Sequence, residues 1–233
     1  VRLVGSEMCI RDSEIKTPLA VIQNYATFLQ SDALTKEQHK EYSQVIFGAA
    51  EQLSVLVTNV LRLSKLENQT ITQIPKAYDV CGQLDDCILS FADQLEQKQI
   101  NFSADTEDKA MVMADESLVE IIWNNLLSNA IKFTKPGGKI TLTQNSNNDS
   151  IIVSVRDNGC GMDEETVKHI FDKFYQGDTS HMQQGNGLGL ALVKRVIDLI
   201  GGEISVTSEL NKGTTFTVKI RRVSNVAIQK HSE

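Results

Sequence analysis

Three clusters of residues in this chain have types and spacings that suit chemistry rather than packing alone. In Asn125-Leu-Leu-Ser-Asn129-Ala-Ile-Lys132-Phe133, the residues Asn125, Asn129 and Lys132 fall at i, i+4 and i+7 and share one helix face. Two amides and an ammonium on an otherwise apolar helix (Ile121, Ile122, Trp123, Leu126, Leu127) are costly to bury without partners, so they face either solvent or a polar ligand. The second cluster is Asp157-Asn158-Gly159-Cys160-Gly161-Met162, at the end of an alternating apolar run. A carboxylate held there, with glycines that admit close backbone approach, can accept from an amine; alone, the same residues make an ordinary turn. The third is Gly185-Asn186-Gly187-Leu188-Gly189-Leu190, between a polar loop and a helix. Its free N–H groups and the positive end of the helix dipole suit phosphate. Other nucleotide motifs are excluded by spacing: Leu190 stands where a dinucleotide fingerprint needs glycine or alanine, and no GxxxxGK[ST], HRD or DFG set occurs.

These clusters sit in a chain of 233 residues with 23 Lys plus Arg against 30 Asp plus Glu, a net charge of -7. At about 150 residues per domain, that is one large domain or two small ones. An apolar share of 41% excludes wholesale disorder, and the acidic balance argues against nucleic acid as a partner. No stretch approaches the roughly 18 apolar residues of a membrane span, so the chain as written is expected to be soluble and cytoplasmic. Cys9, Cys81, Cys87 and Cys160 show no metal-ligand spacing and are expected to be scattered reduced thiols.

The elements that position the clusters follow from periodicity. Ile15, Leu19, Ile22, Ala26 and Leu29 step by 4 and 3, as do Tyr42, Ile46, Ala49, Leu53, Leu56, Val60 and Leu63. That is the seam of two helices packed side by side. A turn over 31–34 and a capping box, Thr35 with Gln38, separate them and predict an antiparallel hairpin. The seam leaves Val21, Tyr25, Phe28 and Val45 partly uncovered. A second hairpin completing a four-helix bundle would cover them, and so would docking on the rest of the chain.

Residues 68–79 are expected to be a linker holding one short strand, and 80–222 an α+β sandwich with helices on one face of one sheet. One amphipathic helix is predicted through Leu84, Ile88, Phe91 and Leu95, and strands over 100–103 and 110–114. A helix capped by Asp115 should run to about Phe133 and stop at Pro136-Gly137-Gly138. Hairpin strands are predicted over 139–145 with 150–156 and over 203–209 with 214–221, a short helix after Asp163, a long loop over 171–187, and a helix over 188–200. Residues 223–233 are expected to be a frayed tail.

The ordered set of motifs resembles the sensor histidine kinases, a branch of the gyrase, Hsp90 and MutL ATPase superfamily. Asn125 to Phe133 looks like the N box, Asp157 to Gly161 the G1 box, Phe171 to Tyr175 the F box, Gly185 to Gly189 the G2 box, and Gly213-Thr214-Thr215-Phe216 the closing GTxF element. Residues 14–67 are similar to the family's dimerisation and phosphotransfer hairpin, with Glu14-Ile15-Lys16-Thr17-Pro18-Leu19 in place of most of its H box. The resemblance implies a histidine kinase/Hsp90-like ATP-binding domain, ATP and Mg²⁺ as cofactors, a homodimer, and a response regulator receiver domain as partner. It implies that Asn129 holds the metal, Lys132 the phosphates, and Asn125 the same face. Asp157 would accept from the adenine amine and Phe174 would pack the base. Gly159, Gly161, Gly185, Gly187 and Gly189 would let backbone wrap the nucleotide beneath a mobile lid, with Thr214 in the closing element.

The chain departs from the family at one position. The acceptor histidine is expected just before Glu14, where Ser13 stands, and a serine hydroxyl is a poor substitute for imidazole at neutral pH. Glu14, the general-base candidate, and Thr17, tied in the family to phosphatase action, are both present. Pro18 suits the first turn of a helix capped by Thr17, whereas in the family it kinks a longer helix. Residues 1–13 look foreign and resemble a translated sequencing-adapter remnant. The natural chain is therefore expected to continue upstream through a histidine to a sensor region attached to a membrane. As written, the chain is expected to bind ATP and Mg²⁺ without phosphorylating itself. The alternatives are a nucleotide-binding scaffold or phosphatase-only regulator, or a clamp ATPase of the gyrase type.

Overall fold

The structure, a computed structural model, describes residues 2–31, 34–68, 75–177 and 185–222, with side chains from residue 14 onward. Two long helices, α1 (Arg2–Phe28) and α2 (Lys36–Asn68), form the antiparallel hairpin. The capping box that starts α2 is formed on both sides: the Thr35 N–H donates to Gln38 Oε1 (2.9 Å) and the Gln38 N–H to Thr35 Oγ1 (3.2 Å). Tyr25 packs edge to face against both Phe28 and Tyr42 at that end, and the Phe28 and Tyr42 rings are tilted on each other, with centroids 5.3 to 5.9 Å apart. Thr35→Ala is expected to cost about 1 kcal/mol, the usual worth of an N-cap, read as a lower unfolding free energy in urea. The turn expected over 31–34 lies partly outside the described residues.

The α2 seam is the expected one, with Ala49, Leu56 and Leu63 buried along it and Leu66 extending it. The α1 seam is not. Pro18, Val21, Ile22, Tyr25 and Leu29 are half-buried, while Ile15 and Leu19 of the expected stripe are 39% and 40% exposed. Two adjacent apolar stripes lie on this helix, and a face 100° wide can present either one to its neighbour. Val45 is half-buried as well; Phe28 stays exposed. Pro18 is inside α1 rather than at its start, where its missing N–H leaves the Glu14 carbonyl without that helical donor. In a further departure from expectation, α2 is long and apolar enough by length and composition to cross a membrane, yet it runs along α1 as the second arm of the hairpin.

The C-terminal unit contains a five-stranded sheet in the order β2-β4-β5-β7-β6, with ranges β2 Asn101–Asp105, β4 Lys139–Ser146, β5 Ser150–Asp157, β6 Glu203–Glu209 and β7 Gly213–Arg221. β2 runs parallel to β4 and the other pairs are antiparallel, so the sheet is mixed. Helices α5 (Glu116–Phe133) and α7 (Gly189–Ile200) cover one face, where Ile140, Leu142, Ile151, Val153, Val218 and Ile220 are buried. The opposite face is polar, with Ser154 and Thr217 hydroxyls 3.0 Å apart across the strands. The strand expected within the linker is β1 (Lys76–Asp79). It pairs with β3 (Met111–Ala114), so the described end of 68–79 belongs to this unit.

The single helix expected through Leu95 is two, α3 (Val80–Ser90) and α4 (Ala92–Gln97), broken at Phe91 with φ -102 and ψ 3. Asp115 caps α5 and Asp163 caps the short α6 (Glu164–His169), as their spacing predicts. Cys81 and Cys87 are free and buried, and burial pushes their thiols up to about 11 and about 12, which makes them inert near neutral pH.

Candidate active site

Helix α5 carries the first cluster, and its orientation is held from both ends. Gln83, itself buried, accepts from the Trp123 indole (3.0 Å) and the Tyr78 hydroxyl (3.1 Å) and donates to the Glu116 carbonyl (2.8 Å), which clamps α3 to the start of α5. At the other end the Lys98 ammonium donates to the carbonyls of Ile131 (2.7 Å), Lys132 (3.1 Å) and Thr134 (3.3 Å). A cation on the orphan carbonyls of a last turn complements the helix dipole. Lys98 was not legible as a site residue, since nothing local pairs it with a helix 33 residues on.

Asp157 ends β5 and is 7% exposed. Its Oδ1 accepts from the N–H of Gly159 (2.8 Å) and of Thr214 (3.3 Å), while no donor among the described residues reaches Oδ2. Burial raises the carboxyl above the usual carboxylate range, and the two N–H groups oppose that rise. The close backbone approach expected of the glycines is severe at Gly161, where φ is +64 and any Cβ would collide with the Glu209 carbonyl.

Asn129, Lys132, Asp157, Gly161, Gly185, Gly187, Gly189 and Thr214 line one cleft. Its apolar wall, a role the sequence left unassigned although four of its five residues stand in the quoted motifs, comes from Met162, Ile170, Tyr175, Leu190 and Phe216. Lys132 is half-buried there, beside Gly185, with its Nζ 4.7 Å from the Phe133 ring centre and no carboxylate partner among the described residues. Burial pulls its pKa below the ordinary lysine value. The Asn129 amide likewise has no hydrogen-bond partner among the described residues. The first turn of α7 has no side-chain cap, so its N–H groups are open to an anion.

Three expected residues stand elsewhere. Asn125 does not line the cleft; it donates to the Ile121 carbonyl (2.7 Å), and its Oδ1 lies under Gly189, supporting the glycine loop from below. Gly159 lies against the Phe133 carbonyl, behind Asp157. Phe174 is 9% exposed and packs in the core instead of offering a face to a base. Its N–H donates to the Gly187 carbonyl (2.9 Å), joining the two feet of the long loop, and its φ of +63 turns Tyr175 into the cleft. Residues 178–184 of that loop lie outside the described residues.

Glu14 is half-buried and its Oε1 accepts from Gln176 Nε2 at 3.1 Å, so the start of the H-box segment meets the rim of this cleft. Ser13 precedes it in the α1 backbone. Thr17, next along this face of the sequence motif, is exposed.

Residues 14–69 match the family described as the His Kinase A (phospho-acceptor) domain, and residues 114–224 the histidine kinase-, DNA gyrase B- and HSP90-like ATPase; together these cover well over half of the chain. The chain belongs to the sensor histidine kinases. It is 29% identical over 210 residues to Sensor protein SrrB of Staphylococcus aureus, covering 89% of this chain. It spans 36% of the length of that curated relative. Among solved structures, full-length ShkA in complex with AMPPNP is 27% identical with a TM-score of 0.70, covering 94% of this chain and 46% of that one. The histidine kinase ThkA in complex with the response regulator protein TrrA shares the fold, at 23% identity and a TM-score of 0.79 over 95% of this chain and 62% of that one. The α+β architecture expected from the motif order, a helical hairpin followed by an ATPase-type sandwich, is the observed one.

Proposed function

We propose that this chain is the phosphoryl-transfer core of a two-component sensor: ATP binds in the cleft, its γ-phosphoryl group passes to position 13 when a histidine stands there, and then to an aspartate on a response regulator receiver domain. The observation that carries the reading is one cleft holding an ammonium (Lys132) without a carboxylate partner among the described residues and an anchored carboxylate (Asp157) with one oxygen that no described donor reaches. Asp157 Oδ2 accepts the adenine amine; guanine presents an oxygen there, for which an ionised carboxylate has no proton. Lys132, the open N–H groups of α7 and the glycine backbone take the phosphates. The residues fit Mg²⁺: the unpartnered Asn129 oxygen is a hard donor, and no acidic cluster among the described residues competes for the ion. When bound with phosphates, such an ion neutralises charge developing on their oxygens. Transfer of this kind needs mainly positioning and charge neutralisation, which these groups supply.

Ile15, Leu19, Phe47, Val55, Val57 and Leu61 leave an apolar outer face on the hairpin, which supports a homodimer closed into a four-helix bundle. With Ser13 in place, the chain is a nucleotide-binding protein without a phosphoacceptor at that position.

Titration with a non-hydrolysable ATP analogue and its GTP counterpart tests the reading. ATP-selective binding is expected, and equal or absent binding overturns it. Lys132 sets the pH dependence. Its charged form is the one that holds phosphate, so affinity is full below its lowered pKa and declines as pH rises through it. Lys132→Met is expected to weaken ATP by about tenfold at neutral pH, the worth of one charge-assisted hydrogen bond, and to flatten that alkaline decline.

A further inference from the structure

We infer that phosphoryl transfer in this kinase runs in cis, from the cleft of one chain to the acceptor turn of the same chain, and that Gln176 is the residue that positions the two; this rests on the function proposed above. The four residues 173–176 alternate in what they touch. Lys173 pairs with Glu67 of α2 (2.9 Å), Phe174 anchors in the core, Tyr175 lines the cleft, and Gln176 reaches Glu14 of α1 while standing at the cleft rim. The alternation depends on the positive φ of Phe174, a conformation non-glycine residues rarely adopt. Nearby, the Arg195 guanidinium of α7 donates through Nε (3.0 Å) and Nη2 (2.9 Å) to the Leu66 carbonyl, and Leu63 and Leu66 are buried in the same apolar cluster as α7.

Tyr25 of α1 meets Tyr42 of α2, so with the helices antiparallel Glu14 lies partway along the hairpin, while Leu63 to Glu67 lie further along it, toward the start of α1. Residues 173–176 therefore reach the chain's own hairpin at two levels, Glu67 near the end of α2 and Glu14 partway along α1. Two carboxylates on the hairpin, Glu14 and Glu67, meet an amide and an ammonium on the ATP-binding unit. The complementary charge fixes the docked register and brings the cleft rim to the residue next to position 13.

In a Ser13→His chain an imidazole nitrogen bonds to the γ-phosphorus as the bond from that phosphorus to the bridging oxygen breaks. ADP leaves with the electron pair, and the proton on the other ring nitrogen passes to Glu14. Gln176 acts through Glu14, holding its carboxylate by one oxygen and leaving the other for that proton.

The test uses two chains that differ in which half of the reaction they retain. One carries Ser13→His with Asp157→Asn, an acceptor without a working cleft; the other keeps Ser13 and an intact cleft. Mixed dimers, isolated by separate affinity tags and given labelled ATP at a concentration that fills the intact cleft but not the Asp157→Asn one, are expected to show less than about a tenth of the label of the Ser13→His homodimer. Labelling at about half that of the homodimer, one acceptor against two, means transfer in trans and overturns the inference. No label on the Ser13→His homodimer itself overturns the proposed function, and the inference with it. In the Ser13→His background, Gln176→Ala is expected to lower the rate at saturating ATP by about tenfold with KM for ATP unchanged, and Gln176→Glu to lower it further through repulsion with Glu14. An unchanged saturating rate, or a loss confined to KM, removes Gln176 from this role.

Discussion

Asp157→Asn is expected to lower ATP affinity by about a hundredfold while leaving the fold at least as stable as before. Asparagine keeps an oxygen in the Oδ1 position, so the N–H groups of Gly159 and Thr214 retain their acceptor. The change falls on the atom facing the cleft, where an amide donor replaces a carboxylate acceptor and meets the donor amine of adenine. Losing a charge-assisted hydrogen bond and opposing two donors is worth about 3 kcal/mol, roughly two decades in affinity.

Stability moves the other way. Burial raises the Asp157 pKa, so the ionised carboxylate disfavours the folded state; the penalty is full above the raised value and is relieved as pH falls from there toward the ordinary carboxylate range. At neutral pH the neutral amide escapes that penalty. Calorimetric titration and a thermal melt of the same variant separate the two effects. A variant that binds ATP normally removes Asp157 from base recognition, and one that melts much lower gives it a structural role instead. The amide also has a proton to offer an oxygen, so the residual binding is expected to shift toward guanine nucleotides.

Much of this site was legible because its polar residues stand where elements begin and end. The turn after β5, the start of α7 and the last turns of α5 are places where local sequence has few conformations to choose from, so Asp157, Gly187 and Lys132 stood out by spacing, while their roles came from the resemblance of the ordered motifs to the sensor histidine kinases. The capping box of Thr35 and Gln38 and the caps at Asp115 and Asp163 were legible for the same reason: each is settled within four residues. What was not legible depends on partners far away in the chain. The choice between two apolar stripes on α1 is made by α2, and the break at Phe91 by what α3 and α4 each pack against. Phe174 belongs to a motif, but its burial and its bond to Gly187 come from a core assembled from other elements. Lys98 on the carbonyls of α5, and Gln176 on Glu14, 162 residues apart, leave no periodic or compositional trace.

Restoring histidine at position 13 is expected to convert a nucleotide-binding protein into one that labels itself with γ-phosphate, at least about a hundredfold above the Ser13 chain. On the proposed function, the groups that would take ATP and the glutamate that would take the proton are already in place, and the docking contacts at Leu66, Glu67 and Glu14 do not involve position 13. Only the nucleophile changes. A serine hydroxyl must lose a proton far above its ordinary acidity to attack phosphorus, whereas a neutral imidazole offers a lone pair near pH 7. The product distinguishes the two chemistries directly, since a phosphoramidate on histidine is acid-labile and base-stable while a serine phosphate survives acid. Label that resists acid in the unmodified chain would show Ser13 or another hydroxyl to be the acceptor and would sink the assignment of position 13 to a histidine. Acid-labile label that appears with Ser13→His and vanishes with Glu14→Gln at unchanged ATP affinity would tie the transfer to the hairpin glutamate.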